Sequence, residues 1–373
     1  MGFDLVIKRE SVMTTESSAL DMARVQAFAG QVLTDHAAAA SSVLVYVGRR
    51  LGLYRALAEH ATTTEELAQK TSTAPRYVRE WLLNQVASGY VVYDAQSDTY
   101  SLPPEHAAVL AHSGSPAFLA GAVDLVGAAW AAADRTVESF LSGRGTGWGE
   151  HDEKLFSGCQ ELFRPGYDTY LTSAWIPAMP HVAQRLAQGA VVADVGCGHG
   201  ASTIAMARAY PRSRFIGFDI HPESVGTARI RAEEAGVQDR VLFEVGDAVS
   251  FPAPGNGGGY DLVAFFDCFH DLGEPMAAAA HARRQLSIGG SLMLVEPQAG
   301  EGVAAAVGNP VARTYSAYST LVCVPNALTQ GDGAALGAQA GEEALTDVLV
   351  KAGFSAVRRV AETPVNMVLE AQV

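Results

Sequence analysis

The segment Val191-Val192-Ala193-Asp194-Val195-Gly196-Cys197-Gly198-His199-Gly200-Ala201 constrains the fold more than any other part of the chain. An apolar run of strand length leads straight into three glycines at alternate positions and then into helix-forming sequence. A strand, a tight turn and a helix therefore follow one another without a linker. Strand-like apolar runs recur at 190–195, 214–219, 240–245, 260–267 and 291–296, with helical patterns near 200–210, 222–236 and 274–286. Strands alternating with helices imply a parallel, doubly wound sheet covered on both faces. After an irregular stretch, 297–340, come a helix at 342–352 and two strands, 355–361 and 365–371, joined by Glu362-Thr363-Pro364. So short a connection makes an antiparallel pair. The expectation is an α/β, Rossmann-like, seven-stranded sheet with a reversed final strand at one edge.

At 373 residues the chain is longer than one unit of this kind needs, and the part before residue 190 reads differently. Residues 1–18 read as a disordered leader, and the proline-free stretch 20–52 favours two helices. Thr62 and Thr63 stand three residues before Glu65 and Glu66, a capping-box pattern, and Pro75 suits the first turn of a helix running to Ser88. Tyr90-Val91-Val92-Tyr93 and Thr99-Tyr100-Ser101-Leu102 flank a polar turn and read as a hairpin. Helices, turn and hairpin spell a mostly helical winged-helix domain over 19–112. Residues 113–180 read as a helical connector and pocket wall, rich in aromatic side chains that include Phe163 and Tyr167. The sheet domain occupies 181–373.

A winged helix invites a DNA-binding reading, and charge argues against it. The chain has a net charge of -14, and residues 19–112 contain seven Lys/Arg against nine Asp/Glu. Phosphate affinity is built from Lys and Arg, so a dimerisation module is the favoured reading and nucleic acid is not an expected partner. Long apolar helices ahead of the winged helix ask for a partner surface, which implies a homodimer. Cys159, Cys197, Cys268 and Cys323 are widely spaced with no Cys-x-x-Cys pair, which fits a reduced, cytoplasmic protein without a structural metal. No apolar run is long enough for a membrane span, and no secretory signal pattern opens the chain.

The glycine turn has the form of a nucleotide-type site, because Gly196 and Gly198 admit a ligand to the backbone and the following helix N-terminus is electropositive. Gly196-x-Gly198-x-x-Ala201 with Asp219 at the next strand end also fits a dinucleotide fingerprint, so an NAD(P)-dependent oxidoreductase is one alternative. Asp194 weighs against it. A carboxylate there repels a pyrophosphate and attracts the ammonium and sulfonium of S-adenosylmethionine. Asp219 is placed to accept from two ribose hydroxyls, and Asp247 in Gly246-Asp247-Ala248 either accepts from the adenine amino group or caps its own loop. Cys197, Ile220, Ala248 and Asp267, with Tyr167 from the connector, complete the expected cofactor set. His199 and His221 flank these motifs and either touch the ligand or are solvated.

Asp194-x-Gly196-x-Gly198-x-Gly200, Asp219 and Gly246-Asp247 resemble the first three motifs of the class I S-adenosylmethionine-dependent methyltransferases. With the winged helix ahead, the chain resembles the small-molecule O-methyltransferases that dimerise through an N-terminal domain, and their bacterial relatives. The resemblance implies a seven-stranded sheet with a reversed last strand, S-adenosylmethionine as cofactor, a small apolar or aromatic acceptor, and a general-base histidine in a His-Asp pair after the fourth strand. Here that pair is His270-Asp271, followed by Leu272 where the family usually has tryptophan. Histidine is the side chain best matched to proton removal near neutral pH, and Asp271 or Glu296 is placed to orient it. The blander reading is that His270 caps the next helix or packs on the adenine. Arg313, Tyr315 and Tyr318, with Phe163 and Tyr167, are candidate acceptor-pocket walls. The competing reading from another class is a winged-helix transcription regulator that keeps S-adenosylmethionine as a ligand.

Overall fold

The computed structural model describes residues 20–255 and 257–373; the expected leader, residues 1–18, lies outside the described residues. The stretch 20–52 departs from the two-helix expectation. It forms one helix, α1 (Met22–Arg50), whose N-cap Asp21 accepts hydrogen bonds from the N–H groups of Ala23 and Arg24. Gly30 lies within it and costs about 1 kcal/mol relative to alanine, too little to break a helix carried on by the alanine run that follows. Only the C-terminal end of α1 is packed: Trp81 Nε1 donates to Leu44 O at 2.8 Å, and a Cβ on Gly48 would come 2.5 Å from the Trp81 ring. Met22, Phe28 and Leu33 along its outer part are largely exposed.

The winged helix forms as expected. It comprises α2 (Leu53–Glu59), α3 (Thr64–Lys70), α4 (Pro75–Ala87), the hairpin β1 (Val92–Asp94) and β2 (Thr99–Ser101), and α5 (Pro104–Leu110). Thr63 and Glu66 make the reciprocal capping box of α3, and β1 pairs antiparallel with β2 in the register Tyr93↔Tyr100. Leu53, Tyr54, Leu57, Leu67, Trp81 and Leu82 fill its core. The connector follows as α6 (Val123–Ala131), α7 (Ala133–Ser142) and α8 (Glu153–Gly166), which contains Pro165 and passes into a π-helical stretch, Tyr167–Trp175. A bidentate ion pair, Arg49 to Asp124 at 2.6 Å, fastens α1 to α6.

After α9 (Pro180–Gln188) the sheet domain alternates β3 (Val191–Val195), α10 (Ala201–Ala209), β4 (Arg214–Asp219), α11 (Pro222–Glu234), β5 (Val241–Val245), β6 (Tyr260–Phe266), α12 (Pro275–Gln285) and β7 (Leu286–Pro297). The strand order is β5-β4-β3-β6-β7-β9-β8, with β8 spanning Ala356–Glu362 and β9 Asn366–Gln372. The last strand in sequence is reversed, as expected, but it does not lie at the edge: β9 inserts between β7 and β8 and is antiparallel to both. Leu262, Val263, Ala264 and Phe265 of β6 are fully buried, covered by helices on both faces. Burial of each large apolar side chain of this kind contributes roughly 1.5–3 kcal/mol, and this explains why the strands read as continuous apolar runs.

The stretch 297–340, expected to be irregular, is a helical insertion. It holds α13 (Gly302–Ala306), α14 (Pro310–Tyr318), a π-helical turn Ser319–Cys323 and α15 (Val324–Ala327), before α16 (Gly341–Lys351). The signal was local: Asn309 Oδ1 accepts from the N–H groups of Val311 and Ala312, and Pro310 takes the first helical position. No helix among the described residues is long and apolar enough to cross a membrane.

Candidate cofactor and catalytic site

The C-terminal ends of β3, β4, β5 and β6 open into one cavity, roofed by α8 and flanked by the 297–340 insertion. Its floor is the glycine turn. Gly198 has φ +51° with nothing within 4 Å of where a Cβ would stand, so its backbone faces open space in the cavity; Gly200 has φ +79°, and a Cβ there would lie 2.6 Å from Phe243 Cζ. The turn is tied to β4, because the N–H groups of Gly196 and Cys197 both donate to Phe218 O. The N–H of Gly198 donates to Asp219 Oδ2 at 2.8 Å, and that of His221 to Asp219 Oδ1 at 2.9 Å. Asp219 therefore organises the turn as well as lining the cavity. Burial raises its pKa, against the pull of those two backbone donors.

Of the expected cofactor set, Gly196, Cys197, Gly198, Asp219, Ile220, Gly246, Asp247, Ala248, Asp267 and Tyr167 line this cavity. Asp247 Oδ1 accepts from the Val249 N–H at 2.9 Å, so the loop-capping reading is realised at a residue that also faces the cavity. Asp194 differs from the expectation of direct attraction. It is fully buried beneath the turn and outside the cavity wall, and its Oδ2 accepts from Ser202 Oγ and Thr203 Oγ1, both at 2.6 Å. Its Oδ1 has no partner, and burial raises its pKa to about 6 despite the two hydroxyl donors.

Tyr167, brought inward by the π-helical stretch, donates its hydroxyl to Asp267 Oδ2 at 2.8 Å, and Asn366 Nδ2 of β9 donates to Asp267 Oδ1 at 2.6 Å. Asp267 holds a left-handed φ of +52°, a conformation that a non-glycine residue keeps only when its surroundings enforce it. Burial, with the nearby Glu296 charge, pushes its pKa up to about 7.

His270 lies in a single 3-10 turn after β6, 4% exposed, and is not part of the cavity wall. Its Nδ1 is 2.7 Å from Glu296 Oε2 at the end of β7, and Glu296 Oε1 accepts from the Phe269 N–H at 3.0 Å. Glu296, not Asp271, is therefore the carboxylate bonded to the imidazole. Burial alone would lower the His270 pKa, but the Glu296 charge and a hydrogen bond with the Cys323 side chain hold it well above the usual histidine range. Asp271 instead lines the cavity, and burial raises its carboxyl to about 7.

The outer wall was only partly legible. Phe163 and Tyr167 line the cavity as expected, whereas Arg313, Tyr315 and Tyr318 do not. Arg313 pairs with Asp35 of α1 at 2.9 Å, and the Tyr315 hydroxyl donates to Val365 O at 3.0 Å. The insertion contributes Asn326 and Gln330 in their place, and the connector contributes Trp148, Phe156, Cys159 and Gln160. Phe156 stacks on His221 with ring centroids 4.2 Å apart, while His221 Nδ1 bonds Ser224 Oγ at the start of α11. The Trp148 N–H donates to Asn326 Oδ1 at 3.0 Å, joining connector to insertion over the cavity. An aromatic residue beside a glycine-rich loop was the available signal for Trp148; nothing local marked Asn326.

Comparison with known proteins agrees with this geometry. Residues 39–112 match the Rv2258c-like winged HTH domain, and residues 186–341 match a methyltransferase domain. The phenazine O-methyltransferase PhzM of Lysobacter antibioticus is 27% identical over 275 residues, 69% of this chain and 75% of that protein. Three other curated relatives share shorter segments, and the chain spans only 26–37% of their lengths. The mitomycin 7-O-methyltransferase MmcR superposes with a TM-score of 0.64 at 19% identity, covering 94% of this chain and all of that one. PigF, solved with S-adenosylhomocysteine, gives a TM-score of 0.65 at 18% identity over 95% of this chain and 100% of its own. The chain thus carries a winged helix-turn-helix domain followed by a methyltransferase domain, with the fold of the class I S-adenosylmethionine-dependent methyltransferases.

Proposed function

We propose that this chain is an S-adenosylmethionine-dependent methyltransferase that methylates an oxygen of a small, largely apolar acceptor. The observation that carries this reading is the continuity of one cavity. Its wall combines the open backbone of Gly198 and the carboxylates of Asp219 and Asp247 with the rings of Phe156, Phe163 and Tyr167 and the side chain of Leu272. Acidic groups suited to the donor and aromatic groups suited to the acceptor thus share one cavity. The likeness to PhzM over most of both chains supports oxygen as the methylated atom.

The residues present fit the donor. Asp219 is a buried carboxylate at the strand end where ribose hydroxyls are held in sheets of this type. The unpartnered Asp194 Oδ1 places negative potential beneath the turn, suited to a cationic ligand. When bound, S-adenosylmethionine supplies a methyl group activated by its sulfonium. The chain's own part is to hold the two reactants in line, exclude water and accept the acceptor's proton. Glu296 fixes His270 through Nδ1, which leaves Nε2 as the proton-accepting nitrogen.

The domains divide at 19–112, 113–180 and 181–373. The chain works as a homodimer through its N-terminal region, since Met22, Phe28 and Leu33 of α1 and Trp130, Phe140 and Leu141 of α6 and α7 all expose apolar side chains. Four free cysteines suit a reducing, cytoplasmic setting. The test is transfer of a labelled methyl group to a panel of phenolic acceptors. His270→Ala should reduce turnover by about 10²–10⁴-fold while S-adenosylhomocysteine still binds; full turnover by the variant would overturn the base assignment.

A further inference from the structure

A second cavity, of about 350 Å³, lies between the winged helix and the connector. Its wall is unlike that of the larger cavity, where no Lys or Arg stands. Arg49 and Arg50 from the last turn of α1 and Arg55 from α2 line it, and Glu161 of α8 is its one acidic residue. Glu161 is already shared, because its carboxylate pairs with Arg164 at 3.5 Å. Leu110 and Phe118 give the cavity an apolar side, which strengthens charge interactions within it. Three guanidiniums against one carboxylate leave two positive charges unmatched, in a chain whose net charge is -14.

These guanidiniums are only partly engaged. Arg49 binds Asp124 through Nη2, and its buried Nε has no hydrogen-bond partner. Arg50 and Arg55 form no ion pair with the described residues. The guanidinium carbons of Arg49 and Arg50 stand 5.8 and 6.0 Å from the centre of the Tyr46 ring, so one ring holds both. Like charges kept together without a counter-ion repel, and a bound anion relieves that repulsion. A planar guanidinium meets the oxygens of a phosphate with two parallel N–H donors.

We propose that this cavity binds a small phosphate monoester, with its dianionic head among Arg49, Arg50 and Arg55. Charge favours phosphate over carboxylate. A phosphate monoester carries about -1.5 to -2 at neutral pH, which suits two unmatched cations, whereas a carboxylate brings a single charge. The bound head bridges α1 and α2 to α8 and so fastens the winged helix to the connector. This cavity shares no wall residue with the larger one, so the inference is independent of the methyl-donor reading.

The test is titration calorimetry of the whole chain with inorganic phosphate and with glycerol 3-phosphate, at an ionic strength held constant with chloride. Both should bind saturably, the monoester at least as tightly as inorganic phosphate, and acetate should not bind. Arg50→Gln with Arg55→Gln should weaken phosphate by about tenfold or more, as expected for lost charge-assisted hydrogen bonds. Arg79→Gln with Arg212→Gln removes the same charge from elsewhere and should leave the affinity within about twofold. All four arginines are exposed, so both double variants should melt in chloride where the unaltered chain does. Phosphate should also raise the melting temperature of the unaltered chain over its binding range, a readout that needs no variant. Absence of saturable binding or of that rise, inorganic phosphate bound without the monoester, or acetate bound as tightly as phosphate would overturn the proposal. Equal losses in the two double variants, or none in Arg50→Gln with Arg55→Gln, would overturn it as well.

Discussion

Asp219 joins two tasks in one side chain, and Asp219→Asn separates them. The carboxylate accepts from Gly198 N–H at 2.8 Å and from His221 N–H at 2.9 Å, one bond to each oxygen. An asparagine keeps one acceptor and turns its amide toward the other N–H, leaving that donor unpaired. An unpaired buried donor costs roughly 1–3 kcal/mol, partly offset because burying the carboxylate was itself unfavourable. At about 2–4 °C per kcal/mol for a domain of this size, the melting temperature should fall by roughly 2–8 °C. The same change removes one charge-assisted contact to the ribose, about 1.5–3 kcal/mol, so S-adenosylhomocysteine should bind about tenfold to a hundredfold more weakly. Differential scanning fluorimetry and calorimetry read the two effects separately. Unchanged affinity alongside a lower melting temperature would show that Asp219 only braces the turn, and an unchanged melting temperature would refute the bracing.

Gly200→Ala should lower the melting temperature by several degrees, since its φ of +79° and a Cβ 2.6 Å from Phe243 Cζ and 3.1 Å from Ala228 Cβ leave no room for the methyl; Gly226→Ala, with nothing within 4 Å, is the control and should be neutral or slightly stabilising. A general base must be neutral to work, so the rate of methyl transfer should rise with pH through the raised pKa of His270. Glu296→Gln removes the charge that raises that pKa and lets burial lower it, so the rising limb of the pH profile should move to lower pH with a reduced plateau; an unmoved limb would assign it to another group. Phe28→Asp with Leu33→Asp should convert a dimer to a monomer in light scattering, and a wild-type chain that is already monomeric would remove that claim.

How much could be read in advance followed the range of the interactions. The strands β3, β4 and β6 were legible because most of their residues are buried, so each is a mainly apolar run ended by its turn residues. The capping box at Thr63 and Glu66 and the strand-turn-helix at Gly196 to Gly200 are local signals and stand where they were read. The π-helical stretch Tyr167–Trp175 has no such signal, yet it is what turns Tyr167 onto Asp267. The place of β9 inside the sheet is set by pairing with β7, 75 residues apart at Leu294↔Leu369 and beyond the reach of a turn rule. The same limit applies within the site. His270 was found from its position after β6, but the choice of Glu296 over the adjacent Asp271 depends on β7 lying beside β6. Asp194 was singled out as an acid ahead of the turn, and only packing shows that it accepts from Ser202 and Thr203 and stands outside the cavity wall.

The most direct test of the central claim is calorimetric titration of the purified chain with S-adenosylhomocysteine and, in parallel, with NAD. The account predicts saturable binding of S-adenosylhomocysteine, abolished by excess S-adenosylmethionine, and no binding of NAD. Binding of NAD with none of S-adenosylhomocysteine would contradict the reading of the glycine turn and of every role built on it.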